Sequence, residues 1–146
     1  MTRLAGLDLR RGRHVVHSSS LTVDGLWIAN GVFELLDDSP GDKELGAAVR
    51  RMLDASRDGV PTPDLRGGPS LFAPVLDALG LRSWATYAKG AVHVDVEQDG
   101  EDVLVSPTRN GGREGFVGLT EQSVRLAAPD DEELGVALRA ALGRSS

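Results

Sequence analysis

The chain has 146 residues, 40 % of them hydrophobic and 26 % charged, with no cysteine, a formal charge of −6 and a pI near 5.0. Its length suits one domain over residues 1–146, and its composition is that of a globular chain rather than a disordered one. The missing cysteines exclude disulfides, thiolate metal sites and thiol nucleophiles. The acidic balance runs against nucleic-acid binding, which needs clustered Lys and Arg to neutralise phosphates.

No apolar stretch reaches the roughly 18 residues of a membrane helix. Leu26–Leu36 comes nearest and is broken by Asn30, Gly31 and Glu34. No apolar run of signal length follows Met1, so a cytoplasmic protein is expected. In chain order, residues 1–12 carry Arg3, Arg10 and Arg11 and read as a frayed arm. His14 to Ser20 reads as the end of an edge strand, and Leu26–Leu36 as a further strand. The segment Asp42–Ser56 places Leu45, Ala48, Val49, Met52 and Leu53 at i, i+3, i+4, i+7 and i+8, one stripe of an amphipathic helix. Ser39 before Pro40 looks like its cap. Asp58–Pro69, rich in Gly and Pro, is expected to be an internal loop. Ser70–Leu79 reads as a short helix stopped by Gly80. Ser83–Lys89 concentrates Trp84, Tyr87 and Lys89 and reads as aromatics opening a core strand.

Beyond it, Val92, Val94 and Val96 alternate with His93, Asp95 and Glu97, a strand with one apolar and one wet face. Asp99-Gly100 supplies a hairpin turn, and Val103 and Val105 continue on the return strand. After the loop from Pro107 to Glu114, Phe116–Leu119 and Ser123–Leu126 read as two further strands. Asp131–Ser145 is a helix that aligns without gaps to Asp42–Ser56, with eight of fifteen positions identical. Leu45 and Gly46 thus recur as Leu134 and Gly135. The glycines are read as points of close backbone packing, since glycine inside a helix costs about 1 kcal/mol against alanine. The last three residues are expected to fray. The expected fold is α+β: a largely antiparallel sheet, the two repeated helices and one short extra helix, with the first half resembling a degraded copy of the second strand–strand–helix unit.

Chemistry is harder to find. No Gly-x-Ser-x-Gly elbow occurs, and Ser18–Ser20 beside His14 and His17 has no acid at a catalytic spacing. His14 and His17 are three apart, so a strand points them to opposite faces. His93 and Asp95 share a face, but a solvated strand surface accounts for them. No metal, cofactor or catalytic residue is therefore expected. Thr108-Arg-Asn-Gly-Gly-Arg113 could present backbone N–H groups and arginines to an anion, yet it lacks any phosphate-loop fingerprint and reads as a turn.

The segment from Leu81 to Val96, then Pro107, Gly115-Phe-Val-Gly-Leu119 and Asp131–Leu142, resembles the immunity proteins of contact-dependent growth inhibition systems. The resemblance extends to the first half through Glu44-Leu-Gly-Ala-Ala48. It implies a cytoplasmic, non-enzymatic protein that binds and neutralises a cognate toxin domain, of nuclease type in many such systems, and the −6 charge suits a basic partner. Asp95, Glu97, Arg109, Asn110 and Arg113 are the candidate partner contacts. Leu45, Gly46, Trp84, Leu134 and Gly135 are assigned to structure. Two other readings are a single-stranded nucleic-acid module using Trp84, Tyr87, Lys89, Arg109 and Arg113, and a small enzyme of unknown type.

Overall fold

The computed structural model describes residues 1–36, 39–64 and 70–146, with the backbone alone at Arg113. Strands β1 (Thr2–Arg10), β2 (Arg13–Leu21) and β3 (Trp27–Leu36) form a meander followed by helix α1 (Asp42–Ala55). Two short helices, α2 (Ala73–Leu79) and α3 (Trp84–Lys89), lead into β4 (Ala91–Asp99) and β5 (Asp102–Asn110). Strands β6 (Phe116–Gly118) and β7 (Val124–Leu126) then precede helix α4 (Asp131–Arg144). The strands form one antiparallel sheet in the order β3-β2-β1-β4-β5-β6, with β7 also pairing to β5. The fold is α+β.

A single shift of 89 residues (42 to 131) carries α1 onto α4, β1 onto β4 and β2 onto β5, each with identical bounds. Strands β1 and β4 are the two central strands, paired antiparallel around Gly6 and Asp95, which are themselves 89 apart. The sheet therefore has a local two-fold axis at its centre, and the helices obey it. A Cβ built on Gly46 would overlap the Asp131 carbonyl oxygen, and one built on Gly135 would overlap that of Asp42. Arg50 donates to Asp131 Oδ1 at 2.7 Å and the Pro129 carbonyl at 2.6 Å; Arg139 does the same to Asp42 Oδ1 at 2.8 Å and the Pro40 carbonyl at 2.6 Å. The repeat signature is thus a reciprocal helix–helix contact, with glycine where the backbones touch.

Both helices lie on one sheet face. Leu45, Val49, Leu53, Leu134 and Leu138 are fully buried there against Leu7, Val16, Val94, Val96, Val103 and Val105. Each such side chain removed from water contributes about 1.5–3 kcal/mol. Ser56 and Ser145, one repeat apart, tie the helix ends to the sheet: Ser56 Oγ donates to the Ser19 carbonyl, and Ser145 Oγ to that of His93.

Several local expectations need correction: β2 is an interior strand rather than an edge, and Pro107–Asn110 continues β5 rather than opening the loop. Residues 1–12 are not an arm, because β1 is a central strand with Ala5, Leu7 and Asp8 buried between two neighbours. The C-terminus is tied down as well, Ser146 exchanging backbone hydrogen bonds with Thr108 and Asn110. The α1 cap is Gly41 rather than Ser39, whereas α4 has a full capping box from Asp130 and Glu133. The aromatic segment opening at Trp84 is a helix, capped by Ser83 Oγ accepting from Thr86 N and closed at Gly90. In the loop read over 58–69, Val60 bridges Thr22, and residues 65–69 lie outside the described residues.

Candidate functional site

The second sheet face is half covered. Helices α2 and α3 pack over it through Val75, Leu76 and Tyr87, against Val15, Ala91, Phe33, Leu35 and Phe116. Beneath that cover lies a polar cluster. Sheet pairing sets Gly6 opposite both His17 and Asp95, and Asp8 opposite both Val15 and His93. Asp8 is 1 % exposed, and three donors converge on its carboxylate. His17 Nε2 donates to Oδ2 at 2.9 Å, Tyr87 OH donates to the same oxygen, and His93 Nδ1 donates to Oδ1. The far nitrogen of His93, Nε2, faces Asp95 Oδ1 at 2.8 Å. Because an ionised carboxylate only accepts, both His93 nitrogens carry protons in this network and the ring is an imidazolium.

The charges follow from this geometry. Burial alone would raise the Asp8 carboxyl, but His93 and His17 beside it hold it well below the usual carboxylate range. Burial would lower His93, yet Asp8 and then Asp95 push it up to about 10. Burial and the Asp8 charge both drive the Tyr87 hydroxyl upward, so it stays a donor. Room for the two imidazoles comes from Gly6, where a Cβ would collide with His17 and lie 2.8 Å from His93 Cε1. Aromatic rings close the surroundings. Phe72 meets His17 edge-on at 5.3 Å and Tyr87 at 5.0 Å, and Phe116 stacks on His93 at 4.8 Å.

Sequence reading placed His14 and His17 on opposite faces, and they do lie so: His14 sits under the α1/α4 layer with its Nδ1 lacking a hydrogen-bond partner. It also paired His93 with Asp95, but as a wet surface. His93 is instead 8 % exposed, because α2 and α3 cover that part of the face. Asp8 was missed, as was the approach of His17 to it, since the contacts cross strands and no spacing along the chain encodes them.

The candidate contact residues do not gather in one patch. Asp95 and Glu97 share the second face; Asp95 is spent partly on His93, and Glu97 is exposed beyond the helical cover. Asp99 follows on the same side, opposite Asp102. Arg109 is exposed on the opposite face of β5. Asn110 is anchored, its amide donating to the Ala88 carbonyl at 2.8 Å and its oxygen accepting from Gly112 N. It borders an open groove lined by Trp84, Ala85, Ala88, Lys89 and Gly112. The Arg113 side chain lies outside the described residues. Trp84 is half-buried, edge-on to Phe116 at 5.9 Å, and Tyr87 is buried with its hydroxyl on Asp8. A buried Tyr87 cannot stack on a base, which removes a central contact of the nucleic-acid reading.

No helix among the described residues is long and apolar enough to cross a membrane. No curated protein matches the chain in sequence. Among the solved structures that share the fold are two that span the whole chain. A Neisseria meningitidis protein of unknown function, NMB0488, is 21 % identical with a TM-score of 0.82, over 100 % of this chain and 96 % of that one. A chain of the CdiA-CT/CdiI toxin and immunity complex from Yersinia pseudotuberculosis is 20 % identical with a TM-score of 0.77, over 100 % and 98 %. The family model described as CDI immunity protein matches residues 14–145, from the second strand through the last helix. On that match, the chain belongs to the CDI immunity protein family.

Proposed function

We propose that this chain binds a cognate toxin domain in the cytoplasm and neutralises it by occlusion, acting as a binding protein rather than an enzyme. The observation that carries this reading is the family match over residues 14–145. The likeness to a chain of a toxin and immunity complex agrees with it. The acid–base groups of the molecule are consistent with a non-enzymatic role, because Asp8, Tyr87 and His93 are buried and engaged with one another.

A toxin with a basic nucleic-acid-binding surface, hence of nuclease type, suits the charge. The exposed Glu97 and Asp99 on β4, with the half-buried Asp95 next to them on the same strand face, bring three carboxylates together. Complementary potentials of this kind raise association rate and specificity. The contact surface therefore centres on this row. Asn110 lies at the end of the neighbouring strand β5, and Arg109 on the opposite face. The direct test mixes the purified chain with the toxin domain encoded beside its gene and follows elution by size exclusion. A stable one-to-one complex is expected; two separate peaks at micromolar concentrations overturn the reading.

A further inference from the structure

The Asp8 cluster departs from the symmetry that organises the rest of the molecule. Shifting Asp8, His17 and His93 by one repeat gives Glu97, Ser106 and Leu4. The equivalent half of the same sheet face therefore has no histidine and lies beyond the α2–α3 cover. The residues forming the cluster are those where the two copies have diverged, and the segment unique to the first half–second half junction brings Tyr87 onto it. Core packing alone does not call for this. A buried carboxylate with two imidazoles costs desolvation that apolar side chains in the same space would avoid.

We propose that Asp8, His17 and His93 form a binding site for one divalent cation of borderline softness, with Zn²⁺ as the test ion. Their ligand atoms come from three strands and lie within 4.8 Å of one another among the described residues. Two imidazole nitrogens and a carboxylate are a donor set that suits zinc, and three protein ligands leave one position open. The surroundings are those of ligands held in place. Asp95 accepts from the far nitrogen of His93 at 2.8 Å, and Tyr87 OH steadies the Asp8 carboxylate. Gly6 clears the space over which both rings lean. In the metal-free network a proton on each imidazole faces Asp8. On binding, the cation takes the place of those shared protons: His93 Nδ1 releases its proton to solvent, and His17 exchanges its Nε2 proton for one on Nδ1, so that both ligating nitrogens present lone pairs. The side chains of His17 and His93 remain 13 % and 10 % exposed, so the cluster borders water.

The sequence reading expected no metal here, and the reason for the difference is topological. His17 and His93 are 76 positions apart (17 to 93), and only the β2-β1-β4 register brings both to Asp8. The proposal stands independently of the toxin partner, because its test uses the chain alone.

The test titrates chelator-treated protein with Zn²⁺ in competition with a chromophoric chelator, and separately with Co²⁺ while recording its visible spectrum. Wild type is compared with His17→Ala, with Asp95→Asn, which keeps the packing, and with His14→Ala as a control outside the cluster. One equivalent of Zn²⁺ is expected to bind wild type and His14→Ala alike and to raise Tm, as any ligand specific for the folded state does. Asp95→Asn is expected to bind about 10–100-fold more weakly, the usual effect of removing a group that orients a ligating histidine. His17→Ala is expected to lose the site and the tetrahedral Co²⁺ bands. No stoichiometric uptake by wild type overturns the proposal. So does uptake that His17→Ala and Asp95→Asn, both folded by circular dichroism, leave unchanged.

Discussion

His14 gives the residue scale a measurable consequence. It lies under the α1/α4 layer, 6 % exposed, with Nδ1 unpartnered, and burial followed by the nearby Arg139 charge lowers its pKa from 6.5. The folded state then binds this proton less readily than the unfolded chain, whose histidine titrates near 6.5. Stability from this group is present above pH 6.5 and is lost as pH falls toward the lowered folded value. Urea midpoints measured from pH 7.5 to 5 are expected to fall in wild type relative to His14→Leu, which removes the titrating ring, while the raised His93 contributes the same rise to both as pH falls. Equal slopes in the two proteins would show that His14 is not the group responsible. The same scale shows what a single chain direction hides. His93 and Asp95, two apart on one strand, were legible as a pair. Asp8 was not, because its partners belong to other strands and its own strand was read as a frayed, arginine-bearing arm. The alternation of Ala5, Leu7 and Leu9 was the available signal for β1, and the arginines outweighed it.

At the scale of elements, the gapless helix repeat was the most informative line of the sequence, and it held more than two helices. Extending the same shift from 42–55 to 2–10 and 13–21 lines up β1 with β4 and β2 with β5, so the symmetric core of the sheet was written in that offset. The side-chain identities outside the helices are too few to have shown it. Ser83–Lys89 was misread for a different reason. Aromatic residues favour strands, but Ser83 as cap and Gly90 as stop were the stronger local signals, and a helix resulted. The glycines test the helix contact. Gly→Ala in a helix ordinarily stabilises by up to about 1 kcal/mol. Here, Gly46→Ala and Gly135→Ala each put a methyl into the partner helix's backbone, and overpacking of this kind costs about 1–3 kcal/mol. Both clashes are relieved by the same separation of α1 from α4. The double variant is therefore expected to lose less than the two single losses combined, a coupling that chemical denaturation reads directly. Additive losses would mean that the two glycines act separately.

At the scale of the whole molecule, the two halves have taken different surfaces on one frame. The α1/α4 layer covers the middle of one sheet face, over β2, β1, β4 and β5. On the other face, α2 and α3 cover the half that holds Asp8, and the half beyond them carries Glu97 and Asp99. If that acidic row steers the partner, Glu97→Lys with Asp99→Lys should slow association with the toxin domain by an order of magnitude or more at low salt, and raised ionic strength should shrink the difference. Surface plasmon resonance across a salt series checks this. An unchanged association rate would move the contact surface to the groove beside Trp84 and Asn110 without touching the family assignment. If the chain silences a toxin by binding it, the loss of toxin activity is stoichiometric. The most direct measurement titrates purified chain into a fixed amount of the neighbouring toxin domain and follows residual toxin activity. Activity falling linearly to zero at one equivalent is the predicted result; full activity at a several-fold excess of chain would contradict it.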